Sequence, residues 1–170
     1  MWEMRCISLW QPWATAIALG FKRIETRSWS HSCKGEIAIH AAKNVTALRD
    51  GTPRDLCEEL EDLTSGESHF PVGMAAFPLG AVVAVARVVD YVPTSLEDTD
   101  APRWRGLLTE VEFLFGNYGP RRFGWIFENV CALRLPIPLR GQQGMWTLTP
   151  SEEKAVRDAA VEAARKACGR

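Results

Sequence analysis

Paired cysteines are missing from this chain. Cys6, Cys33, Cys57, Cys131 and Cys168 are odd in number and far apart, with no C-x-x-C pair. That spacing supports neither a disulfide scaffold nor a zinc ribbon. No H-x-x-x-H pair is present, and His31, His40 and His69 share no ligand spacing. No metal and no cofactor are therefore expected. No apolar run approaches the roughly 18–20 residues that a membrane span needs. Glu3 and Arg5 lie near the start without a long apolar stretch, so no secretory leader is expected and a reducing cytoplasm is the simplest setting. No G-K-[ST] follows Gly80 to make a phosphate loop, and no G-x-S-x-G elbow occurs. An excess of one charge is also lacking. Twenty Lys and Arg against 21 Asp and Glu leave a net charge of −1, which argues against tight, purely electrostatic binding to long nucleic acid.

What is present fits one folded domain spanning residues 1–170, long enough for a real core. Charge is uneven along it. Residues 1–50 carry Arg5, Lys22, Arg23, Arg27, Lys34, Lys43 and Arg49 against four acids, whereas Asp55 to Glu67 is acidic. The acidic run reads as the wet face of a helix: Thr52-Pro53 resembles a helix start, and Leu56, Leu60 and Leu63 supply an apolar stripe. Ala81 to Val89 is apolar and β-branched, a buried central strand. Phe123 to Leu135 reads as a long, bent strand. Trp104 to Phe115 is ambiguous, with Trp104, Leu107, Leu108, Val111 and Leu114 able to line one helix face. Residues 67–79 and 93–102 read as loops. Thr149-Pro150-Ser151-Glu152 forms a capping-box pattern ahead of a helix over about 150–167. Its alanines 155, 159, 163 and 167, with Val156 and Ala160, make a face for packing on the domain. Strands and helices without regular βαβ alternation indicate an α+β fold.

The densest chemistry lies in Gly20-Phe21-Lys22-Arg23-Ile24-Glu25-Thr26-Arg27. Gly20 suits the left-handed stop of a helix. A strand then starts near Arg23, and alternation puts Glu25 and Arg27 on one face with Ile24 and Thr26 on the other. Lys22, in the turn, is free to swing toward the same side. A Lys/Glu/Arg cluster at a strand mouth suits a polar, anionic ligand. Upstream, Ser8-Leu9-Trp10-Gln11-Pro12-Trp13-Ala14 places Pro12 in the first turn of a helix reaching about Leu19. Downstream, Gly35 to Ala41 reads as a strand with Ile37 and Ile39 inward.

These runs, SLWQPWA, GFKRIETRSW and GEIAIHAAK, resemble the ASCH domain, a branch of the PUA-like superfamily. Its G-x-K-x-x-E-x-R hallmark is matched by Gly20, Lys22, Glu25 and Arg27. Pro78 to Val83 and Phe123 to Glu128 also look like the family, and Pro136 to Trp146 resembles its closing strand pair. The resemblance spans about residues 5–148. It implies a small mixed β-barrel of PUA-like type with surrounding helices and a C-terminal helix.

PUA-like domains commonly bind RNA or read a modified nucleobase. The resemblance therefore implies a nucleic-acid or nucleotide binding module, for single-stranded RNA or a modified nucleobase. The sequence does not fix the oligomeric state, and a monomer is the favoured expectation. Its cleft would hold Lys22, Glu25 and Arg27. Arg27 can grip phosphate or a base edge with both arms, and Glu25 can accept hydrogen bonds from an exocyclic amine. Trp10 and Trp125 are the stacking candidates among the tryptophans. Gln11 offers a donor and an acceptor. His40 alternates with Ile39 and aims either into the cleft beside Lys43 or at solvent. The alternative is an enzyme. Some small ASCH proteins resemble this chain and remove the acetyl group of acetylated cytidine, using a lysine with a threonine where Glu25 stands. Lys22 carries over; the threonine does not, and Thr26 faces the opposite side of its strand. Other members are associated with RNA cleavage, which would use Lys22 and Arg27 on the phosphorane and Glu25 or His40 to move a proton.

Overall fold

A computed structural model describes residues 3–32, 34–44, 52–64, 77–94 and 106–168, with the backbone alone for 52–54, 167 and 168. The chain runs β1 (Arg5–Leu9), α1 (Trp13–Ala18), β2 (Ile24–Arg27), β3 (Gly35–Ala41), α2 (Thr52–Thr64), β4 (Ala81–Pro93), α3 (Glu110–Leu114), β5 (Phe123–Pro138), β6 (Met145–Thr147) and α4 (Pro150–Cys168). The strands form one mixed six-stranded sheet in the order β2-β5-β4-β3-β1-β6. β1 and β3 are parallel and the other pairs antiparallel. This is an α+β, PUA-like half-barrel with helices around it.

Both faces of the sheet are covered along β4, which is why Ala81 to Ala86 reads as an unbroken apolar run. Ile7, Leu9, Ile37, Ile39 and Val88 pack with Ala14 and Ile17 of α1. Cys6, Ala38, Val82 and Val85 face the other way, toward Val156 of α4. Register shifts in β4 opposite β5 explain how Val82 and Val85, three apart, share a face.

The capping box at α4 forms: Thr149 N donates to Glu152 Oε2 at 2.8 Å and Glu152 N to Thr149 Oγ1 at 3.4 Å. The inward face is Val156, Ala159 and Ala160, whereas Ala155 is exposed. The expected four-residue alanine repeat drifts around a 3.6-residue helix and cannot stay on one side. Asp55, Glu58, Glu59 and Asp62 of α2 are exposed, with Leu56 and Leu60 inward, as the stripe requires.

Two other expectations change. The 104–115 helix shrinks to Glu110–Leu114, with Trp104 outside the described residues. Pro136–Pro138 completes β5 rather than pairing with β6, whose partner is β1. Most of the expected loops at 67–79 and 93–102 lies outside the described residues. No helix among the described residues is long and apolar enough to cross a membrane.

Candidate functional site

Parallel β1 and β3 end together, at Leu9 and Ala41, and the chain leaves both at one rim of the sheet. Ser8 and His40 face each other there. The edge strand β2 is four positions from β1 in the sheet, yet Arg27 Nη2 donates to the Ser8 carbonyl at 3.0 Å. The sheet has curled far enough to bring its edge back across the open side, and Arg27 bridges the gap.

Two clefts flank this bridge and share Ser8, Trp10 and Arg27. The larger, about 1020 Å³, is also lined by His40, Lys43, Arg140, Gln142 and Gln143. Among the described residues it holds three cations, Arg27, Lys43 and Arg140, and no carboxylate lines it. The smaller, about 440 Å³, adds Glu25, Arg122, Asn117, Trp13 and Phe115. Trp10 stands between them and is 52% exposed, an unusual amount for so large an apolar ring.

Electrostatics divide the two clefts. Glu25 lies 3.2 Å from Arg27 Nε, within ion-pair range. That contact is off the line a hydrogen bond needs, so the Nε proton has no acceptor. One Arg27 arm is spent on Ser8, and the remaining guanidinium surface faces the clefts. Arg122 Nη2 donates to the Thr26 carbonyl at 2.7 Å and braces the end of β2. His40 is buried, with Nε2 3.1 Å from the Leu139 carbonyl. A carbonyl only accepts, so Nε2 carries the proton and Nδ1 is a bare acceptor. Burial lowers the His40 pKa, only partly offset by that hydrogen bond, and favours the neutral ring.

Of the expected residues, Arg27 and Trp10 line both clefts, Glu25 the smaller, and His40 and Lys43 the larger. Three expected residues lie elsewhere. Lys22 is 1% exposed and lines neither cleft. Its Nζ donates to the Ile24 carbonyl and sits 3.4 Å from Glu112 Oε1. Gly20, at φ 80°, ends α1 with a turn that sends Lys22 under the chain, not out of it. Glu112 is as buried as Lys22. It accepts from Arg23 N, from Ile24 N at 3.2 Å and from Tyr118 Oη at 2.7 Å. The phenol pKa is raised by burial and by Glu112, so Tyr118 remains a donor. Trp125 is wholly buried, edge-on to Trp29 and Tyr91 at 4.6 and 5.0 Å, and its Nε1 donates to Trp29 O at 3.3 Å. It is core because position 125 falls on the α1 face of the curled sheet. Gln11 spends both ends of its amide, donating to Pro78 O at 2.8 Å and accepting from Thr15 N at 3.1 Å.

Ser8, Arg140, Gly141 and Gln142 were not singled out as site residues. The signal was in the sequence: a cation and two glutamines between glycines, in a polar turn joining two strands. Among the described residues, no group of three or more His, Cys, Asp or Glu is arranged to hold a metal ion. Burial raises the Cys57 thiol to about 11, and Cys6 and Cys131 are raised too. These cysteines are not poised as nucleophiles.

Comparison with known proteins places the fold. No curated protein matches the sequence significantly. An ASCH protein from Zymomonas mobilis superimposes with a TM-score of 0.53 at 17% identity, covering 92% of this chain and 94% of that one. Two point variants of ZmASCH, a tyrosine-to-phenylalanine and a serine-to-alanine mutant, superimpose at TM-score 0.52 and 16% identity. Each covers 92% of this chain, and the alignments take in 98% and 95% of theirs. The family model for the ASCH domain matches residues 7–136, so the chain belongs to the ASCH domain family.

Proposed function

We propose that the protein binds single-stranded RNA or a nucleotide-like ligand in the paired clefts. The observation that carries this reading is the charge of the larger cleft: Arg27, Lys43 and Arg140 without one lining carboxylate among the described residues, in a protein of net charge −1. A near-neutral protein has no general attraction for polyanions, so a local concentration of cations marks where an anion sits. Trp10 supplies an exposed stacking face between the clefts. Glu25, at the wall of the smaller cleft, is a hydrogen-bond acceptor for an exocyclic amine. Phosphates then occupy the larger cleft and a base the smaller, with Arg27 reaching both.

A hydrolase built on Lys22 draws no support from this geometry. A nucleophile must reach its substrate, and the ammonium is buried against Glu112 and the Ile24 carbonyl. The test is fluorescence anisotropy with a labelled single-stranded oligoribonucleotide. Lys43→Ala, an exposed position, should weaken binding several-fold, and Arg27→Ala by about tenfold or more, given the strength of charge-assisted hydrogen bonds. Wild-type affinity in both variants would refute the site.

A further inference from the structure

The floor of the larger cleft holds two polar atoms that the fold leaves without partners. Ser8 Oγ and His40 Nδ1 are both buried, and neither has a hydrogen-bond partner among the described residues. Unpaired buried polar atoms are uncommon in folded proteins, and each calls for an explanation. These two converge. A carbon placed at the Cβ position of Gly141 would stand 2.8 Å from His40 Nδ1 and 3.0 Å from Ser8 Oγ. One ligand atom near that point would touch both.

The chemistry of the pair is specific. His40 Nε2 is committed to the Leu139 carbonyl, so Nδ1 only accepts. Ser8 Oγ can donate or accept. Their complement must donate to His40 Nδ1, and a hydroxyl does so while accepting from Ser8 Oγ, whereas an ionised phosphate oxygen has no proton to donate. In a single strand held through its phosphates, the hydroxyl next to the backbone is the ribose 2′-OH, the group that separates RNA from DNA.

We propose that Ser8 and His40 read a ribose 2′-hydroxyl and make the cleft selective for RNA over DNA. The 2′-OH donates to His40 Nδ1 and accepts from Ser8 Oγ, while Arg27, Lys43 and Arg140 hold the neighbouring phosphates. This inference rests on the nucleic-acid reading of the cleft given above. Gly141 covers the point in the free protein and must move aside. It sits in Arg140–Gly144, a segment that is exposed throughout and makes no hydrogen bond among the described residues, so little opposes the movement. Glycine is also what lets the segment lie this close, since a Cβ at 141 would fall 2.4 Å from His40 Cε1.

The experiment compares single strands of one base, oligouridine and oligodeoxyuridine of about eight nucleotides, with a 2′-fluoro strand that lacks the donor. Roughly five- to tenfold tighter binding of the ribo strand is expected from one or two net hydrogen bonds. Deoxy and fluoro strands should bind alike. Ser8→Ala should abolish the preference, and Ser8→Thr should restore it. Equal binding of ribo and deoxy strands by the wild type would overturn the inference and leave the cleft reading standing. A ribo preference that survives Ser8→Ala would overturn it as well. No binding of any strand would refute the cleft reading, and this inference with it.

Discussion

Lys22→Met separates a structural lysine from a ligand contact. The side chain and its partner Glu112 are each 1% exposed, with 3.4 Å between Nζ and Oε1. Deleting one member of a buried pair leaves the other charge uncompensated, typically at a cost of about 3–5 kcal/mol. Glu112 would keep its bonds from Arg23 N, Ile24 N and Tyr118 Oη. These donors share the charge, so the lower end, about 3 kcal/mol, is expected. In a domain of this size that lowers Tm by roughly 6–12 °C. Denaturant unfolding followed by tryptophan fluorescence measures it. Adding Glu112→Gln removes the stranded charge, so the double variant should be more stable than the sum of the singles by about 2 kcal/mol. RNA affinity of folded Lys22→Met should stay within about twofold of wild type, well inside the tenfold that 1.4 kcal/mol represents. A stability loss below about 1 kcal/mol, the range of an exposed ion pair, would refute the buried-pair account. Additive singles would do the same.

Trp125→Ala should cost about 3–5 kcal/mol by emptying the largest fully buried side-chain site, again read by denaturant unfolding; a marginal loss would mean the ring is a cleft wall after all. His40 gives a pH dependence of known sign. Burial holds its pKa below 6.5, so the unfolded chain takes up the proton first as pH falls. Its contribution is fully present above about pH 6.5 and is lost below it, down to the folded value. Unfolding midpoints between about pH 8 and pH 5.5 should fall, and less so in His40→Gln; a midpoint unaffected by that substitution would assign the acid sensitivity to other groups.

Much of this molecule could be read from its residues. The apolar run of β4, the Leu56/Leu60 stripe and the Thr149–Glu152 capping box are local signals, and local physics settles them. Alternation along Ile24–Arg27 was enough to put Glu25 and Arg27 on one face. What alternation could not supply was the curl of the sheet. That curl carries β2 across to Ser8, turns Trp125 into the core and opens the cleft beside the Arg140–Gly144 segment. Lys22 was misdirected for a related reason. Its destination is set by Glu112, ninety residues away, and no local pattern links the two. Gln11 likewise finds Pro78 O across 67 residues.

The most direct test of the central claim is the salt dependence of RNA binding, with a single-stranded oligoribonucleotide titrated at several salt concentrations. Three phosphate contacts, one each for Arg27, Lys43 and Arg140, should give a log–log slope of about −2, at roughly −0.7 per phosphate on a single strand. Lys43→Ala and Arg140→Ala should each make that slope shallower by about 0.7. Binding that ignores salt, or a slope that both variants leave unchanged, would contradict the assignment of this cleft to the nucleic-acid backbone.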